Sequence, residues 1–253
     1  MRIVLFIYMF SGLVNYCFAN NLGLPSIDDC VDEPLFHKTE NMCTSCSIDI
    51  FVGQSNAERM ALYYNFEQKA FLSKNPSLKT LGSFVNAATG GTAIDLHLPG
   101  GELYEVNDAK IRAALEAKLA AGCTTVYPVL HWWQGESDAT RQSAPTYSAK
   151  FKKIYAYYTS IFGDNFTMNI YEINSVLNNY EKIINAFFAD FASQNSHVTF
   201  IKMPENVTYN NPPLNNHPSN AVLWQLLRNH FENRSAGVFG VPWTGYPIAA
   251  GSL

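Results

Sequence analysis

Hydrophobic and polar positions along this chain fall into blocks whose period switches between two and about 3.6, and the blocks predict alternating strands and helices. Residues 47–52, Ser-Ile-Asp-Ile-Phe-Val, are rich in β-branched and aromatic side chains and end at Gly53, which predicts a short strand. The stretch from about 56 into the sixties reads as helix. Ile111, Ala114, Leu115 and Leu119 have the spacing of one helix face, so 110–121 predicts a helix that Gly122 stops. Residues 124–131 follow as a buried strand. Phe151, Ile154, Tyr155, Tyr158 and Phe162 then form one broad helical face over 145–162, with Gly163 as the stop. A strand over 166–173, a helix over 179–192, a strand over 198–203 and a last helix over 218–231, with proline in its first turn, complete the pattern.

Strands that alternate with helices predict an α/β fold, a three-layer sandwich with a mostly parallel central sheet, because parallel neighbours need a crossover helix between them. No internal repeat or low-complexity linker interrupts the pattern, so 47–253 reads as a single domain. Residues 20–46 are polar, cysteine-containing and aperiodic, an irregular lead-in. Residues 1–19 read as a cleaved export signal: Arg2, an apolar run over 3–14, then Cys17-Phe18-Ala19 with small residues three and one places before the cut. The run is too short for a spanning helix, and Asn15-Tyr16-Cys17 lacks the small residues that precede a lipid-modified cysteine. The alternative is an uncleaved interfacial or buried segment. The expectation is an exported protein, periplasmic or secreted, with no membrane anchor.

Composition narrows the partners. With 47% hydrophobic and 14% aromatic residues the chain can bury a sizeable core, and a formal net charge of −4 without a basic block or a basic-aromatic stripe argues against nucleic acid. Beyond the signal remain Cys30, Cys43, Cys46 and Cys123, enough for two disulfides with three possible connectivities. Cys43-Thr44-Ser45-Cys46 has the spacing of a metal knuckle or redox pair, but no second such pair or nearby pair of histidines accompanies it. Structural disulfides are therefore expected and no metal, with the pairing open.

Three polar clusters follow predicted strands, where ligands collect in a parallel sheet. Gly53-Gln54-Ser55-Asn56 places a serine on a strand-to-helix turn, where helix-start N–H groups can stabilise negative charge; a helix cap is the plainer use of the same residues. It is not the G-x-S-x-G elbow of the α/β-hydrolases. His131-Trp132-Trp133-Gln134-Gly135-Glu136-Ser137-Asp138 is dense in polar function. The Gln134 amide can donate to an oxyanion, Glu136 can orient a histidine, and Trp132 and Trp133 can stack on a sugar or simply fill the core. Ser137 and Asp138 suit side-chain bonds that fix the turn. Asn215-Asn216-His217-Pro218-Ser219 supplies His217 as a general base.

Together these blocks resemble the SGNH hydrolase superfamily, in its sialate O-acetylesterase and carbohydrate esterase family six branch. Gly53–Asn56, Gly90-Gly91-Thr92, Trp132–Asp138 and His217-Pro218 match the branch's motifs in order, and about 47–235 lies within the resemblance. The resemblance implies a flavodoxin-like fold, a Ser55 nucleophile, a His217 base, and an oxyanion hole of the Ser55 and Gly91 backbone N–H groups with the Gln134 amide. It also implies an O-acetylated carbohydrate substrate such as sialic acid or xylan and no cofactor; Trp132 and Trp133 are compatible with such a substrate, and with Asn56 they are the expected substrate-binding residues. Many relatives carry an aspartate three residues before the histidine, where this chain has Leu214. Glu136, a backbone carbonyl near 214–216, or Glu205 could replace it, with Glu136 favoured. A short-chain ester or lipid hydrolase and an inactive glycan-binding module are the alternative functions. Asn165, Asn206 and Asn233 begin glycosylation acceptor triplets.

Overall fold

A computed structural model of the protein describes residues 45–76, 82–123, 125–163, 166–174, 179–204, 207–210 and 216–235. They belong to one compact unit, Cys43–Leu253. The expected signal over 1–19, all of the lead-in before residue 45, and residues Asn165 and Asn206 lie outside the described residues, while Asn233 is exposed near the end of the last helix.

Five strands, β1 (Ser45–Gly53), β2 (Ser83–Ala88), β3 (Thr125–Trp133), β4 (Thr167–Tyr171) and β5 (Val198–Ile201), form one sheet in the order β2-β1-β3-β4-β5. Every pairing is parallel, so the sheet is wholly rather than mostly parallel. Helices α1 (Ser55–Lys74), α2 (Tyr104–Ala120), α3 (Ala144–Phe162), α4 (Glu181–Gln194) and α5 (Asn220–Ser235) make the crossovers and the outer layers. Right-handed crossovers put α1 on one face and α2, α3 and α4 on the other. Strand alternation agrees with this. Asp49 meets Tyr64 of α1 and His230 of α5, whereas Trp132, of the opposite parity in β3, packs on Phe151 and Tyr147 of α3. α5 returns to pack on α1.

The sequence pattern carries no signal for β2. It is an edge strand, only its last two residues are buried, and Asn86 in its middle turns its Oδ1 onto the backbone N–H of Ala88. α2 begins at Tyr104 rather than 110, because its first turns are mostly polar and escape an apolar-face reading. α5 begins at Asn220, so Pro218 precedes the helix instead of occupying its first turn. Pro218 pairs with Tyr209 in an isolated antiparallel bridge, and the Ser219 carbonyl accepts the N–H groups of Val222 and Leu223.

Cys46 and Cys123 form a disulfide between β1 and the approach to β3, with their Cα atoms 5.8 Å apart. That excludes a Cys43–Cys46 knuckle or redox pair, while Cys30 and Cys43 lie outside the described residues. The bridge closes a loop across 77 positions, which constrains the unfolded chain by about 4 kcal/mol in the chain-entropy account. Thermal unfolding of Cys46→Ser, or of reduced protein, is expected at a Tm several degrees lower; an unchanged Tm contradicts a structural role for the bridge.

Candidate active site

The strand order reverses between β1 and β3, and in an open parallel sheet the crevice beyond the carboxyl ends at such a reversal is where ligands bind. β1 ends there at Gly53. Its φ is +130°, and a Cβ would lie 2.2 Å from the Trp133 carbonyl oxygen, so glycine alone lets the two strand ends approach. The Gln54 N–H then donates to that carbonyl at 2.9 Å, and the chain turns into α1 at Ser55. No side chain caps α1. The positive end of the helix therefore faces the crevice with its first N–H groups at Ser55 and beyond.

Ser55 Oγ lies 2.8 Å from His217 Nε2, although 162 positions separate the residues. Several bonds hold the histidine's backbone. Its carbonyl accepts the Asn210 N–H at 2.9 Å, the Ser219 N–H donates to the Thr208 carbonyl at 2.7 Å, and Asn56 Nδ2 donates to the Asn216 carbonyl at 2.7 Å. Partial burial, and then the Arg59 guanidinium, lower the His217 pKa from its ordinary 6.5. Both effects favour the neutral imidazole, the form that can accept a proton.

Glu136 does not hold the imidazole. Its Oε1 accepts a 2.7 Å bond from Asn56 Nδ2, and its Oε2 is buried without a hydrogen-bond partner. Because the same Asn56 amide also binds the carbonyl before His217, Glu136 reaches the histidine through Asn56. Burial raises the Glu136 pKa to about 7, against the opposing pull of its hydrogen bonds. Asn56 is buried with its amide spent on these contacts, so it is a brace for the loop rather than a substrate contact. Leu214 and Glu205 lie outside the described residues.

The Gln134 amide is also committed elsewhere. It is fully buried, Nε2 donates to Asp138 Oδ2 at 2.5 Å and to the Thr92 carbonyl at 3.2 Å, and Oε1 accepts from the Tyr147 hydroxyl at 2.7 Å. It braces the crevice and does not face it. Trp132 and Trp133, 0% and 1% exposed, offer no face to a sugar: Trp132 packs on Phe151, and Trp133 stacks on Tyr171. Asp138 makes a side-chain to backbone bond, but to a distant segment rather than within its own turn: it accepts the Ile94 N–H at 2.8 Å and so fastens the segment after the glycine turn to the segment after β3.

Gly90 and Gly91 line the opening. Gly91 has φ +73°, the left-handed turn conformation, and Thr92 anchors the turn by donating from its hydroxyl to the Thr89 carbonyl at 2.7 Å. That hydroxyl's lone proton being used, it accepts from His97 Nε2 at 2.9 Å; burial holds the His97 pKa down at about 4, so the ring is neutral. The crevice, about 510 Å³, is lined by Gln54, Ser55, Glu136, Ser137, Asn216 and His217 besides the two glycines.

The arrangement brings together Ser55, His217 and Gly91, and places Gln134, Glu136 and Asn56 as supports. Sequence reasoning missed Gln54, whose buried side chain accepts the Ser137 N–H at 3.3 Å, and Arg59, whose signal is its position one helical turn after Ser55. Among the described residues one cluster, Asp49, His131 and His230, has metal-ligand chemistry, with donor atoms within 4.8 Å of one another. Asp49 already accepts the Nε2–H groups of both histidines, at 2.9 and 2.8 Å, beneath the sheet's α1 face.

A family model described as carbohydrate esterase, sialic acid-specific acetylesterase, matches residues 39–210, more than half of the chain. The match ends before His217, whose place in the crevice rests on the geometry alone. A crystal structure of an Arabidopsis thaliana protein superposes with a TM-score of 0.54 at 16% identity, covering 74% of this chain and 98% of that one, which shows the fold. A carbohydrate acetylesterase from Xanthomonas citri is similar at a TM-score of 0.49 and 13% identity, covering 75% of this chain and 56% of that one. No curated protein sequence matches the chain.

The raised Glu136 pKa has a signed consequence. Between about pH 4.5 and 7 the folded protein holds a proton on Glu136 that the unfolded chain has released, so this group's contribution to stability falls as pH rises through that window. Glu136→Gln removes the titration. Chemical denaturation is expected to show the variant gaining stability relative to the unmutated protein on going from pH 4.5 to pH 8; a constant difference contradicts the assignment.

Proposed function

Because the chain belongs to the family of carbohydrate esterases described as sialic acid-specific acetylesterases, and is thus a hydrolase of acetyl esters, we propose that it removes O-acetyl groups from a carbohydrate through an acyl-enzyme on Ser55. The single observation that carries this reading is the 2.8 Å contact between Ser55 Oγ and His217 Nε2 at the mouth of the crevice. His217 takes the serine proton as Oγ attacks the acetyl carbonyl, and returns it to the sugar oxygen as the alcohol leaves. Water, deprotonated by the same nitrogen, then releases acetate. The backbone N–H groups of Ser55 and Gly91 are the donors to the developing oxyanion, the first backed by the α1 dipole.

His217 is steered by its loop: the bridge at Tyr209–Pro218, the Asn210 bond, and the Asn56 amide that Glu136 in turn orients. In this reading Glu136 is a positioning residue. Among the described residues the crevice lining contains no apolar side chain, which favours a hydrophilic glycan over a long acyl chain. Export is part of the proposal. Its supports are the Cys46–Cys123 disulfide, a bond that persists in oxidising compartments, and the signal-like pattern of residues 1–19. Among the described residues no helix is long and apolar enough to cross a membrane.

Assays with a small acetyl ester and an acetylated glycan test the mechanism. Ser55→Ala and His217→Asn are each expected to lower kcat/KM by about a thousandfold or more. The acid limb of kcat/KM should have its midpoint below 6.5, since the free-enzyme base titrates there. A Ser55→Ala variant that retains activity, or a preference for long acyl chains over acetyl, defeats the reading.

A further inference from the structure

α1 and α5 run side by side and in the same direction, and their seam starts at the crevice. Each step advances four residues on both helices: Arg59 Nη2 donates to Asn220 Oδ1 at 3.0 Å, Tyr63 meets Trp224 with ring centroids 5.9 Å apart at 88°, and Arg228 lies 3.7 Å from Glu67. The Ser55–His217 pair heads this row. Ser55, Arg59 and Tyr63, at i, i+4 and i+8, share one face of α1. The aromatic pair is set between polar steps, Arg59–Asn220 toward the crevice and the Glu67–Arg228 ion pair beyond.

Trp224 is 41% exposed on a helix whose Val222, Leu223, Leu226 and Leu227 are buried. Its indole is thus displayed outward while its neighbours hold the helix. Tyr63 is half-buried and supports the indole edge to face. Tyr63 lies about 12 Å along α1 from Ser55 at 1.5 Å per residue, a span suited to a short oligosaccharide rather than to an acetyl group.

We propose that Tyr63 and Trp224 form a distal sugar-binding subsite, taking a saccharide ring of the glycan whose acetyl group lies at Ser55. The inference rests on the carbohydrate reading of the crevice. A pyranose presents axial C–H groups on its face and hydroxyls at its rim, and an exposed indole bordered by amide, guanidinium and carboxylate groups matches both features. Trp132 and Trp133, which the sequence allowed either to stack on a sugar or to fill the core, are buried and cannot supply such a platform. Leu62 and Phe66, 64% and 73% exposed on α1, lie outside the four-residue row of Ser55, Arg59 and Tyr63 and are left outside the subsite.

The test compares Trp224→Ala, Trp224→Phe and Phe66→Ala with the unmutated protein on 4-nitrophenyl acetate, acetylated xylo-oligosaccharides and O-acetylated sialyllactose. For Trp224→Ala, kcat/KM on whichever oligosaccharide is cleaved is expected to fall about fivefold or more relative to kcat/KM on the small ester, through KM. Trp224→Phe keeps most of that preference and Phe66→Ala all of it. An unchanged ratio in Trp224→Ala overturns the subsite, as does a change of sedimentation coefficient in that variant, which would make the patch a contact between protein copies. Cleavage of 4-nitrophenyl acetate with no release of acetate from either glycan defeats the carbohydrate reading and the subsite with it, an outcome distinct from a failure of the subsite alone.

Discussion

A carboxyl group buried in the middle of the sheet ties several elements of this molecule together. Asp49, on β1, is fully buried, and an ionised carboxyl there costs several kcal/mol unless hydrogen bonds replace water. The bonds come from different elements: the Tyr64 hydroxyl of α1, His131 Nε2 of β3 and His230 Nε2 of α5. His131 is itself fixed by the Tyr171 hydroxyl of β4 on its other nitrogen, at 2.8 Å, and by stacking on Phe51. Satisfying one buried carboxyl group thus fixes both helices on a single face of the sheet.

That constraint reaches the crevice through the seam between α1 and α5. With Tyr64 and His230 tied to the same carboxyl group, the helices cannot slide past one another without losing one of its bonds, which supports the four-residue register of Arg59–Asn220, Tyr63–Trp224 and Glu67–Arg228. The head of the register is the start of α1 at Ser55 beside the loop of His217. The geometry of the Ser55–His217 pair is therefore a consequence of packing at some distance. The serine is placed by β1 and the α1 start, the histidine by a bridge and a buried asparagine, and neither depends on a direct contact between His217 and Glu136.

The alternation of strands and helices made the α/β class legible, because buried β3 and the broad faces of α3 and α4 have clean periods. β2 escaped because an edge strand with a mid-strand asparagine has no such period. Ser55 and His217 were legible as motif residues, and the structure brings them together. The roles of Gln134, Asn56 and the two tryptophans were not. A motif gives residue types near the carboxyl end of a strand, but side-chain direction decides whether an amide faces the crevice or the core. Gln134 turns inward to Asp138 and Tyr147, and strand alternation places Trp132 and Trp133 in the layers on either side of the sheet. Arg59 and Trp224 carry no motif at all, and only the helix seam shows their relation to the crevice.

Cooperation between one serine and one histidine is the core of this account, and active-site labelling measures it directly. Reaction with a fluorophosphonate followed by peptide mapping should give a single adduct, on Ser55, whose formation is lost in His217→Asn and slowed by an acetylated substrate. An adduct at a different residue, or labelling of Ser55 that proceeds undiminished without His217, would contradict it.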